Sequence, residues 1–120
     1  MFSTASRLVA IAENVAVRFA SGSLTLTGTL LFDPRTSSLV LDTQDGEPEE
    51  TLTVNLAVYG LFPETAGEIL VKDWSEGEGT AQSLIDAGVA EFENEHFLGP
   101  FSSRAVRLRL IKKREMWHNP

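Results

Sequence analysis

The sequence predicts an α+β domain: a small antiparallel β-sheet or partly open barrel of about six strands, with one short helix near residues 80–87. Three observations lead there. Apolar and polar residues alternate at period two over most of the chain, and turn signals recur too closely for the long crossovers between parallel strands. Only one short stretch shows helical spacing instead. The 120 residues are enough for one core, and 42% apolar with 22% charged residues is a globular balance. The chain has no cysteine, which excludes disulfides, thiol catalysis and cysteine-based zinc sites.

Residues 1–10 read as a loose N-terminal segment, residues 11–112 as a single globular domain and residues 113–120 as a C-terminal tail. The apolar run at residues 8–12 is too short for a signal-peptide core, and no stretch of roughly 20 apolar residues occurs. A cytoplasmic protein with no membrane contact is the expectation.

Val15, Val17 and Phe19 alternate with Ala16 and Arg18; beyond Ser21-Gly22-Ser23, Leu24, Leu26, Leu30 and Phe32 alternate with threonines. This is a hairpin pattern, and Gly28 in mid-strand marks a bulge or a close backbone approach. Asp33-Pro34 opens a type I turn that leads into a short strand at residues 39–42. After an acidic turn at residues 44–50, Leu52, Val54, Leu56 and Val58 alternate with Thr51, Thr53, Asn55 and Ala57, the clearest strand pattern in the chain.

A glycine- and proline-containing loop spans residues 60–67, and a short strand spans residues 68–73. Ala81, Leu84 and Ile85 fit a helix with Thr80 as N-cap and Gly88 as its stop, although Ser75 and Glu78 also match a capping pattern. Residues 89–92 read as a strand or helix exit and residues 93–100 as a connection. In the last strand, residues 104–111, Val106, Leu108 and Leu110 face one way and Arg107 and Arg109 the other.

The net charge of −7 is unevenly spread along the chain. Between Asp42 and Glu95 fourteen carboxylates meet one lysine, Lys72, whereas six of the ten basic residues lie between Arg104 and Arg114. An acidic body disfavours phosphate backbones and anionic lipid. The plainest reading is a solvated acidic surface with a basic edge strand. One sharper reading has the carboxylates imitate a nucleic-acid backbone and occupy the basic groove of a DNA- or RNA-handling protein. Another has Arg104, Arg107, Arg109, Lys112, Lys113 and Arg114, with Trp117 for base stacking, contact phosphate.

Catalytic and metal patterns are weak. His96 and His118 are the only histidines, and no G-x-S-x-G arrangement accompanies them. Glu91, Glu93, Glu95 and His96 suggest an oxygen-rich cation site, but their spacing is that of no calcium loop and reads more simply as an acidic turn. Trp74-Ser75-Glu76-Gly77-Glu78-Gly79 is glycine-rich but lacks the lysine of a phosphate loop and carries two competing carboxylates. No metal and no cofactor is expected.

The runs Thr51-Leu52-Thr53-Val54-Asn55-Leu56, Ile69-Leu70-Val71-Lys72-Asp73-Trp74-Ser75-Glu76-Gly77-Glu78-Gly79 and Leu84-Ile85-Asp86-Ala87-Gly88-Val89 resemble a pattern found in a family of small bacterial proteins. Its members are encoded on conjugative plasmids and integrative mobile elements, and it is a domain of unknown function. The pattern combines T-V-N-L, K-D-[YW]-S-E-N-E-G, L-I-E-A-G-[IV] and a final Arg- and Leu-rich strand, here Ala105-Val106-Arg107-Leu108-Arg109-Leu110. Gly77 stands where the pattern has Asn; the turn at residues 33–38, the basic run at residues 112–114 and Trp117 lie outside it. The resemblance implies no catalytic residues. It implies a mobile-element accessory protein, of a kind that travels beside anti-restriction and anti-CRISPR inhibitors.

The leading expectation is therefore a non-enzymatic protein that binds a protein partner through an acidic surface at Asp73, Trp74, Glu76 and Glu78. The alternatives are a small-ligand or nucleotide-binding module, with Trp74 stacking a ring near Gly77 and Gly79, and nucleic-acid binding through the basic C-terminal stretch. Homo-oligomerisation stays open, since an exposed edge strand can pair two copies.

Overall fold

A computed structural model describes residues 8–43 and 49–111. They form seven strands in two antiparallel sheets, with one short helix, and the sheets do not close into a barrel. The first sheet is a meander of β1 (Val9–Phe19), β2 (Leu24–Asp33), β3 (Ser38–Asp42) and β4 (Glu50–Thr51) in that order. The second contains β5 (Glu68–Lys72), β6 (Ala90–Leu98) and β7 (Ser103–Leu110), in the order β5-β7-β6. Helix α1 (Thr80–Asp86) joins β5 to β6.

One core lies between the sheets and α1. Val17, Leu30, Leu39 and Leu41 from the first sheet meet Ile69, Val71, Val106 and Leu108 from the second, and Leu84 of α1 completes it; all are fully enclosed. Those from β1, β2, β5 and β7 are the inward positions of the period-two pattern, so alternation located the core face of these four strands correctly. Strand β1 starts at Val9, with Val9 opposite Phe32 and Ala10 opposite Leu31, two residues inside the segment expected to be loose. Gly28 makes the close approach its position suggested: a Cβ there would lie 2.2 Å from the Asp42 carbonyl oxygen.

Three expectations fail, each for a physical reason. Residues 51–58 are not one strand, because the segment changes sheets. Leu52 N–H donates to Leu39 O in the first sheet, and two residues later Val54 N–H donates to Leu70 O in the second. Leu52 and Leu56 are buried, but the chain then turns through a 3-10 segment at Ala57–Tyr59, and Val58 is 89% exposed.

Residues 93–100 are mostly strand. Phe92 opposes Leu108 and Asn94 opposes Arg107, so Glu93 is an extra residue in a bulge, and the face parity reverses there. Finally, Thr80 is the first helical residue and Gly79 the N-cap; Thr80 is buried and its hydroxyl has no partner among the described residues. The Gly79 N–H is met instead by the Asp73 carboxylate, at 2.7 Å.

Candidate functional site

The last strand carries the first surprise. β7 is the centre of its sheet and not a basic edge. Its arginines lie between acidic neighbours: Arg109 faces Glu91 at 2.9 Å and also bonds Glu93, while Arg104 bonds Glu95 at 2.6 Å and Asp73 at 2.5 Å. Arg107, expected on a solvated face, is 6% exposed, because the chain around Phe62 lies over it. Its guanidinium donates to Phe62 O at 2.7 Å and to Glu68 at 3.0 Å. The arginines of β7 thus offset part of the acidic middle of the chain, pairing with Glu68, Asp73, Glu91, Glu93 and Glu95.

Burial pushes the Glu68 carboxyl up, but the Glu64 N–H, a hydrogen bond with Glu93 and the Arg107 guanidinium outweigh it and hold the group below its ordinary value. Glu93 moves the other way. Its hydrogen bond with Glu68, its burial and the Glu68 charge raise it against the pull of Arg109 and Arg107. Two carboxyls this close share a proton before both ionise.

Glu91, Glu93 and Glu95 are therefore ion-pair partners of arginines, and no group of three or more potential ligands that could hold a metal occurs among the described residues. His96 is half-buried, and its Nε2 has no hydrogen-bond partner among the described residues. Of the basic candidates, Arg104, Arg107 and Arg109 are all engaged by carboxylates; Lys112, Lys113, Arg114 and Trp117 lie outside the described residues.

The four residues of the expected acidic surface differ in exposure and in partners. Asp73 is 4% exposed and serves the fold, capping Gly79 and binding Arg104. Glu78 is exposed but accepts a hydrogen bond from Ser21 Oγ at 2.7 Å, and its carbonyl accepts the Ser21 N–H, which ties this turn to the β1–β2 connection. Glu76 is exposed on the 3-10 turn Ser75–Gly77. Trp74 is half-buried, with Lys72 Nζ 5.5 Å from its ring centre. Gly77 is held against the Lys72 carbonyl, where a Cβ would come within 2.5 Å, so the Asn of the family pattern does not fit this turn.

Trp74 instead belongs to an apolar surface that sequence reading missed. It packs with Val54, Leu61 and Leu98 on buried Leu56, Leu70 and Ala105, the outer side of the second sheet. A depression of about 230 Å³ opens there, with Trp74, Tyr59 and Phe101 among its lining residues. Tyr59 is 53% exposed and Phe101 89%. The sequence signal was aromatic residues set in turns, Tyr59-Gly60 and Gly99-Pro100-Phe101, where no core requires them.

A larger cleft, about 820 Å³, runs between β1 and α1. Among the described residues no helix is long and apolar enough to cross a membrane. The molecule so described is a small two-sheet α+β domain with an apolar depression on one sheet and a larger cleft beside its helix. No protein-family model, no curated protein and no solved structure matches the chain.

Proposed function

We propose that this chain is a non-enzymatic binding protein that captures a protein partner on the aromatic surface around Tyr59, Trp74 and Phe101, with Glu76 on the adjoining turn. The observation that carries the reading is the exposure of Val58, Tyr59 and Phe101 beside an apolar depression. Tyr and Trp at the rim of a pocket are the residue types that anchor protein interfaces, and contiguous apolar surface is otherwise costly to leave in water. The net charge of −7 favours a partner with a basic face and speeds the encounter. A mobile-element setting with an anti-defence role is part of the same proposal and rests on the sequence resemblance.

The alternatives have less support. The depression is smaller than ordinary small-molecule pockets, and neither Gly77 nor Gly79 lines it. Phosphate contact through β7 would require its arginines to leave their carboxylate partners.

Affinity capture from host lysate tests the reading, comparing wild type, Phe101→Asp, the pair Trp74→Ala with Glu76→Lys, and Thr25→Lys as a remote control. Phe101 is so exposed that its replacement leaves the fold intact. Loss of a specific partner in the first two variants and its retention in the control is expected. Equal capture by all four would show that the surface is wrongly placed.

A further inference from the structure

We propose that the cleft between the outer edge of β1 and helix α1 is a strand-addition site for an extended, basic peptide segment of a partner protein. The proposal is independent of the aromatic surface and rests on different residues.

β1 pairs with β2 on one side and, among the described residues, has no strand on the other. The backbone of β1 holds the helix beside this free edge: Arg18 N–H donates to Ser83 Oγ at 2.8 Å, and Ser83 Oγ in turn donates to Gly79 O. Because Arg18 N–H points at α1, the two-residue period of a strand turns the N–H and C=O of Ala16 the same way, into the cleft. Ala16 is exposed and, among the described residues, its backbone polar groups have no neighbouring strand to pair with. An edge in this state is a template for another chain.

The dimensions and the side chains suit an extended occupant. The cleft, about 820 Å³, lies within the range of ligand-binding sites. Ala10, Ala12 and Ala16 from β1 and Ala87 from the end of α1 line it, so little side-chain bulk stands in the way of a backbone. A strand laid between a sheet edge and a helix takes its affinity from main-chain hydrogen bonds and its specificity from alternate side chains.

Charge selects the occupant's chemistry. Among the described residues Arg18 is the one cation in the lining, tied to Asp86 at 2.8 Å, and Glu13 is an exposed carboxylate of the same lining with no ion pair. With the whole chain at −7, alternate lysines or arginines on an incoming strand are attracted and alternate carboxylates repelled.

The test is an amide chemical-shift titration of the full chain with two capped peptides of alternating sequence, Lys-Val-Lys-Val-Lys-Val and Glu-Val-Glu-Val-Glu-Val. The Lys-Val peptide is expected to shift the amides of β1 and the C-terminal half of α1, with a dissociation constant below about 1 mM, and the Glu-Val peptide to bind at least ~10-fold more weakly at low salt. Ala87→Trp, which fills the cleft from an exposed position, is expected to abolish binding. Ala16→Pro removes an outward N–H without touching the ladder to β2, as edge strands tolerate, and is expected to weaken binding by about 3- to 10-fold. Phe101→Asp leaves this binding unchanged, which separates the site from the aromatic surface.

No shifts up to about 1 mM, shifts confined to other elements, or equal binding of both peptides would overturn the proposal. So would a dimer that Ala16→Pro dissociates, since the occupant is then a second copy. A site that binds the peptide only after residues 112–120 are removed would likewise overturn it, because the occupant is then the chain itself.

Discussion

Arg107 offers the sharpest test of how the second sheet is held together. Its side chain and that of Glu68 are 7% and 9% exposed, and the guanidinium satisfies both the carboxylate, at 3.0 Å, and the Phe62 carbonyl, at 2.7 Å. Replacing it in Arg107→Met keeps the bulk but leaves Glu68 buried without its counter-charge and beside Glu93. Breaking such a pair from one side costs about 3–5 kcal/mol, a large part of the ~5–15 kcal/mol that stabilises an ordinary domain. For a chain of this size the melting temperature should fall by roughly 10–25 °C. Removing both charges in Arg107→Met with Glu68→Leu should instead return stability to within about 2 kcal/mol of wild type, since no unpaired charge remains. Urea unfolding near pH 7 of the wild type, both single variants and the double variant closes the cycle. A loss under about 1 kcal/mol for Arg107→Met, or a double variant as unstable as the sum of the singles, would refute the reasoning.

Further outcomes follow from neighbouring residues. Glu93 is held above its ordinary value of 4.5, chiefly by its hydrogen bond to Glu68, so the folded chain binds that proton more tightly than the unfolded one. Its contribution is complete below that value and is lost as pH rises through the raised one. Glu93→Gln keeps a donor toward Glu68 and should be at least as stable as wild type near pH 7 and equal to it near pH 4; urea midpoints at the two pH values check this, and a loss near pH 7 above about 1 kcal/mol would count against it. Gly28→Ala places a methyl group 2.2 Å from the Asp42 oxygen and should cost about 1–3 kcal/mol or more in thermal unfolding. Asp73→Ala should cost about 2–3 kcal/mol, since it removes charged hydrogen bonds to Gly79 and Arg104, whereas Glu76→Lys should stay within about 0.5 kcal/mol. Equal stability of these last two variants would mean that Asp73 is not structural.

Much of the fold was legible because its signals are local. The alternation of Val15, Val17, Leu30 and Phe32 marked one core face, and Gly28 marked the place where two backbones approach. What escaped depends on partners distant in sequence. Nothing near Leu52 announces that its N–H serves one sheet while that of Val54 serves the other. The bulge at Glu93 disguised β6 by shifting its parity, and Arg107 was assigned to solvent because period-two reading does not show what covers the outer face. The site followed the same rule: Trp74 stood out by its chemistry, but its companions Tyr59 and Phe101 lie in other loops, and Asp73 looked like surface until its partners were seen.

The central place of β7 also has a consequence for the order of assembly. The first sheet is built from neighbours in sequence, β1 with β2 and β2 with β3, through short connections. In the second sheet, β6 and β7 likewise form a hairpin, with Leu98 meeting Ser103 across a short turn, whereas β5 acquires its ladder only when β7 reaches it, Glu68 meeting Arg109 across a long connection that contains α1 and β6. Long connections carry the larger closure entropy, so the meander and the β6–β7 hairpin should gain protection first and the β5–β7 pairing should set the folding rate. Pulse-labelled hydrogen exchange during refolding would show this as early protection at Leu30 and Leu41 and late protection at Ile69 and Val71; simultaneous protection would place both sheets in one step. Until β5 and β7 meet, each would present an unpaired edge to other molecules, which makes this one long-range ladder the event that ends the chain's exposure to misassembly.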